Sequence, residues 1–187
     1  MTEQQPVRQF PGMWVDPADD PRDTGTTPRG EKAVLADYLD HFRMTFEMKC
    51  EGLDAEELAR RSVPPSSMSL LGLVRHLASV EFHWTRRFVE GHMELPRPFK
   101  SPEDPDLDFN GAVPDDAVVA EAWESWRAEV GHAREVYAAA DDLAALVGPD
   151  GDRSELREVV VHLIEEYARH CGHADLLRER IDGRTGQ

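Results

Sequence analysis

Lysine is nearly absent from this chain. It occurs only at Lys32, Lys49 and Lys100, and arginine supplies the rest of the basic charge. Together the 21 basic residues face 37 acidic ones, for a formal net charge of −16. Nucleic acid and anionic membrane are therefore not expected partners, because phosphate recognition needs a basic surface. No apolar run approaches the roughly 20 residues of a membrane span, and no signal-peptide core is visible at the N-terminus, so a cytoplasmic location is expected. Cysteine occurs only at Cys50 and Cys171, with no CxxC pair. Both are expected as reduced thiols, with Cys171 a small packing residue or, alternatively, a soft metal ligand. Strict apolar–polar alternation is missing too, which excludes a sheet-based fold.

What remains is helical periodicity. Residues 1 to about 28 carry five prolines and no regular period, which predicts an extended or disordered arm, with Phe10, Met13, Trp14 and Val15 as residues able to pin it. From residue 29 to 187 the pattern predicts one all-α domain, a four-helix bundle. Leu35, Leu39, Phe42 and Phe46 mark a helix from about Gly30 to Glu51. Asp54 and Glu57 form a capping pattern for a short helix ended by Pro64-Pro65. A second long helix should start near Ser67 or Ser69 and run to Gly91. The third is expected from Asp115 to about Ala140, and the last from a cap at Ser154 to Ile181. Residues 92–114 make a proline-rich loop of a length that often walls or covers a site.

The chemistry concentrates on the last helix, in His162-Leu-Ile-Glu-Glu166-Tyr-Ala-Arg-His170-Cys-Gly-His173. Glu166 and His170 are four residues apart, so they leave one helix face as a carboxylate–imidazole clamp for a divalent ion, zinc first, with nickel or iron as alternatives. Bundle metal sites draw ligands from facing helices, and the second long helix offers His76 beside its apolar stripe. Two nitrogens and one carboxylate leave a coordination position open, which is the pattern of a catalytic site. His162 and His173 extend the stripe, with His173 the substitute ligand. Glu81 interrupts the apolar stripe between Leu77 and Trp84, where a carboxylate needs a partner, a catalytic role or a metal. Glu81 and His173 are the candidate catalytic residues. Arg75 and Arg169 are surface arginines or, alternatively, carboxylate-binding residues.

Two motifs, Ser69-Leu-Leu-Gly-Leu-Val-Arg-His76-Leu and His162-Leu-Ile-Glu-Glu-Tyr-Ala-Arg-His170-Cys-Gly-His-Ala-Asp-Leu-Leu-Arg178, resemble the DinB-like (DinB/YfiT-like) superfamily of metal-binding four-helix bundles, which includes a mycothiol-dependent isomerase and thiol S-transferases. The resemblance runs from about Gly30 to Gly186. It implies His76, Glu166 and His170 as the metal ligands. With the arginine-, alanine- and proline-rich usage of a GC-rich bacterial genome, it also implies mycothiol or a similar low-molecular-weight thiol as cofactor. The leading expectation is a metal-dependent thiol S-transferase acting on a small-molecule electrophile, with a homodimer as the oligomeric expectation. A metal hydrolase using Glu81 as base, and a non-catalytic metal-binding stress protein, are the alternatives.

Overall fold

The computed structural model describes residues 12–186. In chain order its helices are α1 (Glu31–Cys50), α2 (Ala55–Ala59), α3 (Leu70–Phe82), α4 (Leu107–Asn110), α5 (Asp116–Ala139) and α6 (Leu156–Asp182). α1 packs along α6 and α3 along α5, while α3 also meets α6. The architecture is thus the expected all-α bundle. Its sheet content is one antiparallel pair, β1 (Leu146–Val147) with β2 (Ser154–Glu155). Among the described residues no helix is long and apolar enough to cross a membrane.

The helix starts follow local side-chain chemistry. Ser69 Oγ accepts the Gly72 N–H at 3.1 Å and Asp115 Oδ1 the Ala117 N–H at 2.7 Å. Each satisfies a donor that the first turn leaves without an intrahelical partner. Asp54 and Glu57 form the expected reciprocal box. At α6 the cap is Glu155, boxed with Glu158, and not Ser154, because Ser154 is paired with Val147 in the small hairpin. α2 stops at Ala59, ahead of Pro64-Pro65, where Arg60 turns to extended backbone.

The second long helix is not uniform. α3 passes into a π-helical segment, His83–Val89, with its wider turn. That turn brings Thr85 to share a 2.9 Å hydrogen bond with Tyr137 of α5. It also seats Phe88 against Gly148, where a Cβ would lie 2.5 Å from the ring. π segments inside helices recur at functional sites because they re-aim the side chains they carry.

The apolar stripes meet in one core containing Leu39, Phe46, Leu73, Leu77, Trp126, Val130, Leu163 and Leu177. Glu81 lies inside it with no exposed surface. Both its oxygens accept from Arg43 of α1, at 2.8 Å each, and Oε1 also accepts from Tyr167 of α6 at 2.9 Å. Trp126 Nε1 of α5 donates to the Tyr167 hydroxyl at 2.8 Å. One buried polar network therefore contains a residue from each long helix.

Of the residues expected to pin the N-terminal segment, Phe10 lies outside the described residues. Trp14 is buried where α1 and α6 end, with Lys49 Nζ 4.0 Å, Arg184 Cζ 3.8 Å and Arg178 Cζ 5.4 Å from its ring centroid. Such cation–aromatic contacts are strongest when shielded from water.

Removing one member of a buried ion pair leaves the other charge without compensation. Arg43→Met is expected to lower stability by about 3–5 kcal/mol, and Arg43→Met with Glu81→Leu to recover much of that loss. Urea unfolding of the wild type and both variants measures the difference. A double variant as unstable as the single one would count against the ion pair as the cause.

Candidate metal centre

On α6, Tyr167 and Leu163 turn into the core, which leaves Glu166 and His170 on the adjoining face, towards α3. On α3, the buried run Leu73, Val74 and Leu77 fixes the helix rotation so that His76 emerges at the same seam. The His76 and His170 rings meet edge to face with centroids 4.8 Å apart. One ligand atom from each of His76, Glu166 and His170 lies within 4.8 Å of the others. Small side-chain rotations would bring all three to the roughly 2.0–2.2 Å at which nitrogen and carboxylate oxygen bind zinc.

The surroundings suit that use. His170 Nε2 is 3.3 Å from Glu166 Oε2, and its Nδ1 is 3.3 Å from Nδ1 of the half-buried His173. The hydrogen bond from His170 holds the Glu166 carboxyl below its ordinary range, outweighing the opposite effect of burial. His162 Nε2 approaches Glu166 Oε1 at 3.4 Å, and its ring lies tilted against Trp84 with centroids 4.5 Å apart. His173 is held below its ordinary range by burial first, then by His170 and Arg169, which favours its neutral form.

Asp108, which spacing along the sequence does not single out, completes the arrangement. It is fully buried on α4, in the long loop, and its Oδ2 accepts from His76 Nδ1 at 2.8 Å and from Lys100 Nζ at 2.7 Å. Burial alone would raise its pKa, but the His76 and Lys100 hydrogen bonds hold it below the ordinary carboxylate value. An ionised Asp108 makes Nδ1 of His76 the protonated nitrogen and leaves Nε2 as the free lone pair. Carboxylate partners orient metal-binding histidines in this way.

The motif around His76 explains how the loop reaches it. Arg75 is not a surface residue. It is buried, and donates to the backbone carbonyls of Asp108 at 3.0 Å and Leu107 at 3.1 Å. Gly72 leaves room for Phe109, whose Cδ1 would lie 2.7 Å from any Cβ there, and Phe109 stacks on His76 at 5.5 Å. The only advance sign of this docking is the length of the loop.

Other expected residues sit elsewhere. Glu81 is not brought to the triad, since its carboxylate is occupied by Arg43 and Tyr167 in the core. Arg169 is exposed on α6. Cys171, one residue past His170, points instead to the Phe42 carbonyl of α1 at 3.6 Å, and burial pushes its thiol up to about 12. A groove of about 690 Å³ runs between α1, α5 and α6, past Leu39, Arg43 and Tyr137; none of the triad lines it.

The tautomer can be tested directly. In ¹H–¹⁵N spectra of the metal-free protein, recorded at mildly alkaline pH, His76 should carry its proton on Nδ1. In Asp108→Ala it should shift towards the Nε2–H form. An Nε2–H signal in the wild type would refute the assignment.

Among proteins of curated function, none matches the chain. The family model described as mycothiol S-transferase matches residues 34–183, which span every long helix apart from the first three residues of α1 and include the triad and Asp108. The chain belongs to the mycothiol S-transferase family, one of the DinB-like families.

Proposed function

We propose that the protein is a metal-dependent thiol S-transferase in which His76, Glu166 and His170 hold the metal and a low-molecular-weight thiol, mycothiol or a close relative, is the nucleophile. The observation that carries this reading is the convergence of the three donors from α3 and α6, with Asp108 fixing the tautomer of one of them. Mixed nitrogen and oxygen donors suit zinc first, with nickel or iron next. A divalent ion in an open three-residue site supplies positive charge that favours a thiolate at neutral pH.

The chain's own residues then have distinct tasks. Asp108 orients His76 through Nδ1, and Lys100 offsets the carboxylate charge behind it. His173, in contact with His170 Nδ1, acts as a positioning residue for that imidazole. Phe109 and Trp84 supply apolar walls against the His76 and His162 rings. Cys171 and Cys50 are buried and their thiols are pushed up, so neither cysteine is poised as a thiolate nucleophile. The hydrolase alternative would need a free carboxylate as base, and Glu81, fully engaged by Arg43 and Tyr167, does not supply one.

Untagged wild-type protein should bind about one divalent ion per chain, and His76→Ala and Glu166→Ala should lose it, as read by elemental analysis. Full metal in both variants would overturn the ligand set. Metal-loaded protein with mycothiol and iodoacetamide should release iodide faster than the thiol alone, and omitting the thiol should abolish that release. Turnover of an ester or amide without any thiol would instead favour the hydrolase.

A further inference from the structure

The seam beside the triad contains a second cluster, built on cations. Ser79 follows His76 by three residues on α3, and His83 follows Ser79 by four, so the stripe continues past the metal ligands. Arg97, from the same loop that brings Asp108, donates through Nε to Ser79 Oγ at 3.1 Å. Arg87 stands one turn beyond His83 on the π-helical segment. The His83 ring meets Trp84 at 5.3 Å, and the same indole also meets His162, which approaches Glu166. The cluster is thus connected to the triad through Ser79 along α3 and through Trp84 across to α6.

Its charges are unmatched. In a chain with 37 acidic residues against 21 basic ones, the half-buried Arg22, Arg86 and Arg157 each pair with a carboxylate. Among the described residues, Arg87 and Arg97 have no carboxylate within ion-pair distance. The buried Arg87 Nε and the buried His83 Nδ1 have no hydrogen-bond partner at all. Burial and then Arg87 disfavour the charge on Arg97, which also feels Glu166 and Asp108. Burial, followed by Arg97 and Arg87, pushes His83 down to about 4, so it is neutral and adds no positive charge. Both carboxylates near the cluster are already engaged, Glu166 by His170 and Asp108 by His76 and Lys100. Two guanidinium groups, one with an unmet buried N–H, part-shielded from water, are a costly arrangement until an anion satisfies them.

We infer that Arg87, Arg97 and His83 form a carboxylate-binding subsite next to the triad, and that the electrophile the protein uses carries a carboxylate. The inference rests on the transferase reading for its substrate role, but the subsite is a property of the chain alone. Planar guanidinium forks match a carboxylate's two oxygens, and the site holds the charged end while the carbon under attack faces the thiol.

Two measurements test it. In the first, metal-free protein is titrated with fumarate by calorimetry. Wild type should bind saturably, and Arg87→Gln and Arg97→Gln should each weaken the Kd by roughly tenfold or more, with Arg97→Lys intermediate. Arg87 makes no hydrogen bond among the described residues, so Arg87→Gln should keep the wild-type melting temperature and tests the site without a folding defect. In the second, metal-loaded protein with mycothiol is offered iodoacetate or iodoacetamide. In both reactions the thiolate forms a C–S bond at the iodine-bearing carbon as the C–I bond breaks and iodide leaves. The ratio of kcat/KM for the charged over the neutral reagent should fall by roughly tenfold in either glutamine variant. Equal fumarate affinity in wild type and both glutamine variants, or no saturable binding at millimolar fumarate, overturns the subsite. If no protein transfers the thiol yet fumarate binding still depends on Arg87 and Arg97, the transferase reading falls and the subsite stands.

Discussion

A carboxylate with no exposed surface sits at the centre of this bundle, and the placement of everything else depends on how it is compensated. Glu81 is held by both donors of the Arg43 fork and by the Tyr167 hydroxyl, which in turn accepts from Trp126. Burial and the Glu81 charge push the Tyr167 pKa well up, so the hydroxyl keeps its proton and remains a donor. A network of this kind is intolerant of rotation, because each hydrogen bond is directional and each unmet group is costly in the core. Tyr167 immediately follows Glu166, and His170 comes three positions after it. Fixing Tyr167 inward therefore fixes the face on which the two α6 donors emerge. Hydrophobic burial holds the four helices together, while the Glu81 network sets their relative rotation.

The loop of residues 92–114 is attached by a different means. It has little regular structure beyond α4, and its own backbone groups need partners. Arg75 supplies two of them by donating to the carbonyls of Leu107 and Asp108, and Gly72 lets Phe109 come close to α3. The motif around His76 thus reads as one mechanical unit. Ser69 caps the helix, Gly72 admits the loop, Arg75 grips it, and His76 receives the Asp108 carboxylate that the grip delivers. The same loop carries Lys100 and Arg97, so one docked segment sets the charge behind His76 and the charge beside the triad.

Overall acidity and local electrostatics run in opposite directions here. A chain of net charge −16 keeps its excess acid on exposed helix faces and in loops, where solvent screens it. The carboxylates at the seam are all occupied by hydrogen bonds, whereas two half-buried arginines are not paired with acids. The sign of the whole molecule therefore says little about the local surroundings of the seam, which is lined by imidazoles, guanidinium groups and aromatic rings.

Much of this was legible in the order of residues. Helical periodicity located the four long helices to within a few residues, because burial of an apolar stripe is a local pattern with a fixed period. The four-residue spacing of Glu166 and His170 placed both on one face for the same reason. His76 was reachable because bundles build such sites across facing helices. The π-helical turn at His83–Val89 was not legible, since it depends on Thr85 meeting Tyr137 and Phe88 meeting Gly148 from distant parts of the chain. Glu81 was recognisable as a misfit, but only packing could show that Arg43, 38 residues earlier, is its partner. Asp108 was invisible, because a carboxylate in an irregular loop carries no periodic signal. Sequence alone determined which faces of which helices would be buried and which donors would share an edge. Tertiary structure decided which charges those donors meet, because electrostatic partners are chosen by distance in space and not by separation along the chain.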